Sequence, residues 1–283
     1  ASVSYLLEPF GSPFMQRALA EALLLGAVAA VVSVFVVLRR LAFVSDVLTH
    51  TVFPGVVIGF VVAGTSGIVW GALVFAVLSA VLITVLSSRS RVTEDASMAI
   101  VLTGFFAVGV VLVSRQTSFT SDLTAFLFGR ILTVDRQQLV VTAVIGAVVL
   151  LLLGLLGKEL LFRAFDPAGA EARGYRVLAL DLVLNLAVAL VVVAAVRAVG
   201  TVLVIALLVV PGAAGRLLSD RLAAITLIAV GTALLAGWLG LVASWQASVN
   251  HGLRLASGAT VVLVLVLLYA VAAAIATVRK VRA

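Results

Sequence analysis

The chain has 283 residues, of which 64% are hydrophobic and 11% are charged, and it contains no cysteine. Soluble domains carry about 45–50% apolar and about 25% charged residues, so this composition excludes a single water-soluble domain. The absence of cysteine excludes disulfide bonds and thiolate metal sites. The net charge of +7 does not indicate nucleic-acid binding, because the basic residues lie in short loops between long apolar segments.

Nine apolar segments follow one another along the chain, each long enough for a membrane-spanning helix of about 20 residues. Barrel strands would alternate apolar and polar residues, whereas these segments are apolar all round. We therefore predict an all-α transmembrane helix bundle forming one domain over residues 1–283, with eight spans as the alternative. The first 16 residues lack the basic-then-apolar order of a signal peptide. The predicted spans are 18–38, 41–64, 67–87, 97–114, 138–156, 178–196, 200–218, 222–245 and 258–277.

The distribution of basic residues predicts the orientation of the chain. If nine spans alternate, 13 of the 19 Lys and Arg residues fall on one side of the membrane. Cytoplasmic loops carry the excess of basic residues, so we expect the N-terminus outside and the C-terminus in the cytoplasm of an inner or plasma membrane. The 13 residues are Arg39, Arg40, Arg89, Arg91, Lys158, Arg163, Arg173, Arg176, Arg216, Arg221, Arg279, Lys280 and Arg282.

The second span carries the clearest candidate site. Asp46 and His50 are four residues apart, hence on one helix face, and His50 lies roughly 15 Å beyond Arg40 along the helix. Ionisable residues at membrane depth are costly and indicate function. A carboxylate and an imidazole at this spacing can share a divalent cation and suit Mn, Fe or Zn. The alternative is a structural Asp–His ion pair that braces the bundle.

Two Pro-Gly pairs are candidate hinges. Pro54-Gly55 follows the candidate site directly, and Pro211-Gly212 interrupts the seventh span. Proline removes a backbone hydrogen bond and kinks a helix, although each pair could also be a passive kink. Gly55 and Gly59 form a small-xxx-small pair that permits close helix contact.

Residues 158–177 form a predicted inner segment with a short helix of about two turns. Asp166 and Pro167 are a good N-cap and first helical residue, and Gly174 is a good C-terminal stop. A short helix capped at both ends suits docking to a soluble partner. An ordinary loop helix is the alternative.

Other polar residues are weaker candidates. Glu21 and Asp181 lie near span ends, where we expect them to reach the membrane surface. Asn185 is expected to bond a neighbouring helix. His251 lies in a predicted outer loop, where it is either solvated or part of a metal entry path. No G-x-x-x-x-G-K-[ST], H-E-x-x-H or G-x-S-x-G motif is present, so no enzyme signature is found.

Five segments resemble the permeases of zinc and manganese ABC importers. The family reads D-x-L-S-H-x-x-x-P-G after a basic pair, and residues 46–55 read DVLTHTVFPG after Arg39-Arg40, with Thr49 in place of serine. Residues 165–174, FDPAGAEARG, resemble the coupling helix of the family. The other three are VGTVLVIALLVVPGAA at 199–214, DLTAFLFGRIL at 122–132 and LASGAT at 255–260.

The resemblance implies a membrane-spanning permease that imports a divalent metal ion, manganese, zinc or iron, as substrate. It implies three protein partners: a cytoplasmic ATPase that binds the ATP, an extracytoplasmic metal-binding protein and a second permease copy in a homodimer. The chain itself is expected to bind no cofactor. Asp46 and His50 carry over as metal-contacting positions. The coupling positions are Asp166, Pro167, Glu171, Ala172, Arg173 and Gly174.

The sequence departs from the family before Ser257, where Arg254 places a positive charge near an expected cation path, and Ala256 replaces a proline. The alternatives are therefore a permease of the same architecture for a metal chelate or another small substrate, and an ATP-independent secondary transporter. A secondary transporter needs no docking helix, which favours the ABC permease.

Overall fold

The computed structural model describes residues 4–88, 93–114, 131–252 and 255–282. In these residues the chain forms 11 α-helices and two short 3-10 helices, Glu8–Gly11 and Ile131–Thr133, with no strand. The all-α prediction is therefore confirmed. The α-helices in chain order are α1 (Ser4–Leu7), α2 (Pro13–Leu38), α3 (Ala42–Thr51), α4 (Phe53–Ser87), α5 (Glu94–Ser114), α6 (Arg136–Phe165), α7 (Pro167–Ala172), α8 (Val177–Val199), α9 (Thr201–Leu218), α10 (Leu222–His251) and α11 (Ser257–Arg282).

Eight segments of the described chain are long and apolar enough to cross a membrane. One of them, Ala42–Ser87, has 46 residues and comprises α3 and α4. A straight helix of that length would measure about 69 Å, more than twice the hydrocarbon core of a bilayer. However, α4 leaves helical geometry at Ala63 (φ −137°) and Gly64 (φ 63°). Gly64 suits this position because glycine adopts positive φ without steric cost.

The two arms of α4 form a tight antiparallel hairpin. Gly59 faces Gly67 across the reversal, and Gly55 faces Gly71 about one turn further from the tip. A Cβ on any of these four glycines would overlap a backbone carbonyl oxygen of the opposite arm. The predicted close contact through Gly55 and Gly59 is confirmed. With this hairpin the stretch Ala42–Ser87 contains two antiparallel helical arms, as the predicted spans 41–64 and 67–87 require, and the choice between nine and eight spans stays a prediction.

Two predicted boundaries are wrong. Residues 158–165, predicted to lie outside the helices, complete α6, and residues 248–251, predicted as an outer loop, complete α10. In both cases the residues beyond the apolar stretch are still compatible with a helix, so the helix continues past the predicted end of the membrane. The helix α9 continues through Pro211, and the hinge role of Pro211-Gly212 stays a prediction. The predicted outer segment from Asp122 to Gly129 lies outside the described residues.

The chain divides into two compact units. One consists of Ala1–Val37, Ala125–Gly146 and Ala194–Ala283, and the other of Leu38–Thr124 and Ala147–Val193. In the first, α9, α10 and α11 pack on one another; in the second, α3 packs against α4 and α5. The second unit carries both the candidate metal residues and α7. The single domain over residues 1–283 stays a prediction.

Candidate metal site

The candidate metal residues lie on the open face of an otherwise buried short helix. Asp46 and His50 on α3 keep 38% and 36% of their side chains exposed. The residues between and beside them on α3 are buried, namely Val44, Ser45, Val47, Leu48 and Thr49. Apolar packing therefore fixes the helix, and it presents the carboxylate and the imidazole side by side on its one accessible face.

The carboxylate and the imidazole are close but loosely paired. The Oδ1 atom of Asp46 lies 3.5 Å from the Nε2 atom of His50. A charge-assisted hydrogen bond would be about 2.7–2.9 Å long. The two side chains therefore form a loose contact rather than a short charge-assisted hydrogen bond. Both the metal pair and the structural ion pair stay predictions.

Backbone geometry around the pair is set locally. The hydroxyl of Thr49 donates to the backbone oxygen of Asp46 at 2.6 Å, so it stabilises the turn of α3 that carries the carboxylate. Val52 separates α3 from α4, and Pro54 occupies the first turn of α4, where its missing N–H would have no helical partner. The chain therefore changes helix directly after the site.

This site is incomplete within the described residues of one chain. No group of three or more His, Asp or Glu side chains suited to a metal ion occurs there. His251 is the last residue of α10, and its side chain lies outside the described part of the structure. The predicted role of His251 on a metal path therefore stays a prediction. The described His, Asp and Glu side chains of one chain therefore provide no third ligand beside this pair.

The α4 hairpin also borders a groove, which is apolar. Its walls include Ile58, Val62, Trp70 and Val74. Such walls offer no charged ligand for a cation. The groove therefore does not extend the candidate metal site.

The predicted docking helix is present as α7, with the predicted caps. The Asp166 carboxylate accepts a hydrogen bond from the Gly169 N–H at 2.8 Å, and Pro167 is the first helical residue. At the other end Gly174 has φ 83° and donates to the oxygen of Glu171 at 2.9 Å. These bonds satisfy backbone groups at both ends of a helix of only six residues.

Aromatic contacts fasten α7 to the end of α6. The rings of Phe162 and Tyr175 meet edge to face with centroids 6.0 Å apart, and the guanidinium of Arg173 lies 5.1 Å from the Phe162 centroid. Glu171 and Ala172 are exposed, whereas Ala170 is buried. The helix is therefore held against the end of α6 and exposes a face made of polar and small residues.

Polar pairs between distant parts of the chain were not predicted from the sequence. Asp181, expected near the membrane surface, lies between two arginines at the ends of other helices. Its Oδ1 accepts from Arg39 Nη2 at 2.6 Å and its Oδ2 from Arg163 Nη2 at 3.0 Å. Burial lowers the pKa of the Arg39 guanidinium below its ordinary value, and the Asp181 carboxylate opposes that shift.

Glu21, by contrast, does not reach the surface of the protein. It is fully buried and accepts a hydrogen bond from the Thr142 hydroxyl at 2.7 Å. Asn185 donates to the Thr84 hydroxyl at 2.9 Å, which confirms the predicted bond to a neighbouring helix. The only sequence signal for these pairs was the presence of polar residues in apolar segments, which does not identify their partners.

Comparison with known proteins assigns this arrangement of helices to a family. The model of the ABC 3 transport family matches residues 11–276. The chain belongs to the ABC 3 transport family. The predicted resemblance to metal-type ABC importer permeases is thereby confirmed, and the chain is a membrane-spanning transport subunit.

Relatives within the family carry names that refer to metals. The manganese transport system membrane protein MntC of Halalkalibacterium halodurans is 39% identical over 259 residues, which cover 92% of this chain and 86% of that protein. The manganese import system permease protein ScaB of Streptococcus parasanguinis is 36% identical over 88% of this chain and 86% of its own length.

One solved structure is similar along nearly its full length. PsaBC from Streptococcus pneumoniae in complex with Fab contains a chain that aligns with a TM-score of 0.81 and 30% identity. The alignment covers 96% of this chain and 95% of that one. The helical architecture described above is therefore shared with this solved chain.

Proposed function

We propose that this chain is the permease of an ABC importer that moves a divalent transition-metal ion into the cytoplasm, with manganese as the first candidate. The observation that carries the proposal is the Asp46–His50 pair, half exposed on a buried helix and 3.5 Å apart. The manganese names of the relatives at 39% and 36% identity support this choice of metal. Zinc and iron remain candidates, because a carboxylate–imidazole pair suits all three.

The small number of protein ligands would allow the site to release its ion. Asp46 and His50 provide two protein ligands, whereas a closed site with four protein ligands holds a metal as part of the structure. We propose that a second copy of the chain places its own Asp46 and His50 opposite the first pair. A two-fold axis repeats every residue, so a homodimer supplies two carboxylates and two imidazoles. Water would complete the coordination before and after transfer.

A separate ATPase chain supplies the energy in this proposal. The supporting observation is α7, a rigidly mounted helix with exposed Glu171 and Ala172. We expect this helix to insert into a cleft of a cytoplasmic ATPase subunit. Glu171→Arg and Ala172→Arg should lower metal uptake while the permease still assembles in the membrane. A matched charge reversal at the exposed Arg221, outside α7, should leave uptake unchanged; equal uptake in all three variants would contradict the docking role.

Orientation follows from the same proposal. Nine passes place the two termini on opposite sides, and the basic excess puts the C-terminus and α7 in the cytoplasm. An extracytoplasmic metal-binding protein would then deliver the ion from the other side. Cysteine labelling can test this directly, since the chain has no native cysteine. Labelling of Glu171→Cys by an impermeant reagent outside intact cells would show that the orientation is reversed.

The decisive experiment is metal uptake by the chain and its ATPase in reconstituted vesicles. We expect wild-type protein to accumulate manganese on addition of ATP. Asp46→Ala and His50→Ala should assemble equally well and hydrolyse ATP but accumulate no metal. A structural ion pair would instead give poor assembly of both variants. Uptake of a metal chelate in place of the free ion would favour the chelate alternative, and wild-type uptake by both variants would remove the pair from the pathway.

A further inference from the structure

The ends of three helices meet at one carboxylate that the metal site does not use. Asp181, near the start of α8, accepts from Arg39 beyond the end of α2 at 2.6 Å and from Arg163 at the end of α6 at 3.0 Å. The side chains are 23%, 14% and 16% exposed, respectively. A surface salt bridge would be largely hydrated, whereas water is mostly excluded from this one.

The carboxylate holds together two groups that repel each other. The positive charge of Arg163 acts on Arg39 in the same direction as burial does, against its charged form. The Nε atoms of both arginines are buried and have no hydrogen-bond partner in the described structure. Each guanidinium therefore depends on Asp181 for its main stabilising contact. Loss of the carboxylate would leave two partly buried cations facing each other.

One of the two arginines lies next to the aromatic contacts that hold the docking helix α7. Arg163 directly follows Phe162, whose ring contacts Tyr175 and Arg173 on the far side of α7. Only two residues lie between Arg163 and the Asp166 cap of α7. A displacement of α7 by a bound ATPase would therefore move the end of α6 and with it the Arg163 guanidinium.

The other arginine belongs to the turn that leads into the metal helix. Arg39 lies three residues before α3, the helix that carries Asp46. The next residue, Arg40, has φ 57°, a left-handed conformation that is uncommon for a residue other than glycine. Because this turn is tight, a displacement of Arg39 would also displace the start of α3.

We propose that Asp181 is a positioning residue that couples the docking helix to the metal helix, so that ATP hydrolysis at the partner moves Asp46 and His50. The inference rests on the proposed function, because it assumes that α7 docks on an ATPase and that α3 binds the ion. Asp181 itself contacts neither the ion nor the partner. It joins the two helix ends through ion pairs that can shift or exchange as the helices move.

The experiment measures metal ions moved per ATP hydrolysed, in vesicles that contain the permease and its ATPase. In Asp181→Asn we expect ATP hydrolysis to continue while the ratio of ions to ATP falls by about 2- to 30-fold, the range found for residues that carry coupling. Asp181→Glu should restore much of the ratio, because it restores the charge. The matched control is Asp220→Asn, which removes an exposed ion pair with Arg216 and should leave the ratio unchanged.

Two outcomes would overturn the inference. One is a wild-type ratio in Asp181→Asn, and the other is a proportional loss of uptake and ATP hydrolysis, as a purely structural role predicts. If Asp181→Asn fails to assemble, Arg39→Gln combined with Asp181→Asn removes one cation with the anion and relieves the repulsion. That double variant should assemble and still show the lowered ratio, and a wild-type ratio in it would also overturn the inference.

The proposed function and this inference fail in different ways. If wild-type protein moves no metal ion, the proposed function fails before Asp181 is tested. Manganese binding by the solubilised complex provides a second readout. Asp181→Asn should bind manganese as the wild type does, since Asp46 and His50 are intact. Loss of binding in Asp181→Asn would mean that the carboxylate maintains the metal site itself and would overturn the coupling role.

Discussion

Glu21 and Asp46 both lie in apolar helices of this permease, and their surroundings differ. Glu21 on α2 is fully buried and receives a short hydrogen bond of 2.7 Å from Thr142 on α6. Asp46 on α3 is 38% exposed and lies 3.5 Å from His50. Ionisable residues at membrane depth are expected to be functional. In the proposed function, accessibility rather than depth alone distinguishes the transport site from a structural contact.

The surroundings of Glu21 close it off from an ion path. The neighbouring Gln138 donates to the backbone oxygen of Ala194 at 3.0 Å, so the polar groups beside Glu21 are engaged in tying helices together. The second carboxyl oxygen of Glu21 is buried and has no hydrogen-bond partner in the described structure. A hydrated cation has no access to a residue with no exposed surface. Glu21 therefore braces α2 against α6, whereas Asp46 remains available to cargo.

We expect the largest difference in manganese uptake when Asp46 and Glu21 are each replaced by the isosteric amide. Asp46→Asn removes a charged ligand while preserving shape, and we expect manganese uptake to fall by about 100-fold or more. Glu21→Gln should retain uptake within about threefold, because an amide can still accept from Thr142. Uptake at equal membrane abundance is the measurement. A comparable loss in Glu21→Gln would mean that the buried acid takes part in transport and would remove the distinction.

Protons should compete with the metal ion at the candidate site. His50 must be neutral to bind metal, so protons compete with the ion and uptake should decrease as the pH falls. The decrease approaches roughly tenfold per pH unit for each proton released on binding. Glu21→Gln should show the wild-type pH profile, since Glu21 does not bind the ion. Manganese uptake at constant metal concentration, measured with and without this substitution, checks both expectations. A flat profile in Glu21→Gln would assign the pH response to the buried acid instead.

Helix packing next to the site provides a smaller effect. A Cβ at Gly55 would overlap the Gly71 carbonyl oxygen and the Phe75 ring, so Gly55→Ala should force the arms of the α4 hairpin apart. Overpacking of this kind costs about 1–3 kcal/mol. Gly104→Ala on α5 is the matched control, because nothing lies within 4 Å of a Cβ there. The thermal midpoint of the detergent-solubilised protein should fall in the first variant only; equal midpoints would show that the hairpin can relax.

Local patterns in the sequence were sufficient for the parts of the site built within one helix. The four-residue spacing of Asp46 and His50 and both caps of α7 involve neighbours in sequence, so spacing and residue type predict them. The reversal inside the second apolar stretch was also accessible, because 46 residues exceed one crossing. Most of the architecture follows from hydropathy in this way.

The parts that were missed depend on partners far away in the chain. Thr142 is 121 residues from Glu21, and Arg39 is 142 residues from Asp181. Hydropathy locates such residues in apolar segments but gives no information on which helix will face them. The expectation that Glu21 reaches the membrane surface was wrong for this reason, and the partners of Asp181 were missed. The end of α6 was missed because hydropathy reports the membrane boundary, whereas residues 158–165 remain good helix formers beyond it.

The smallest expected effect concerns the hydroxyl next to the metal pair. Thr49 is fully buried, and its hydroxyl donates to the backbone oxygen of Asp46 rather than to the carboxylate. Thr49→Ser keeps that hydrogen bond and loses one buried methyl group, so we expect a stability loss of about 1 kcal/mol. Uptake should stay within about twofold of wild type, since neither ligand moves. Thermal midpoints and manganese uptake, measured on the same preparations, separate the two effects. The matched change at the structural cluster, Thr142→Ser, keeps the bond to Glu21 and should behave in the same way. A tenfold loss of uptake in Thr49→Ser alone would show that the Thr49 methyl group positions the Asp46 carboxylate, and the metal site would then extend into the buried face of α3.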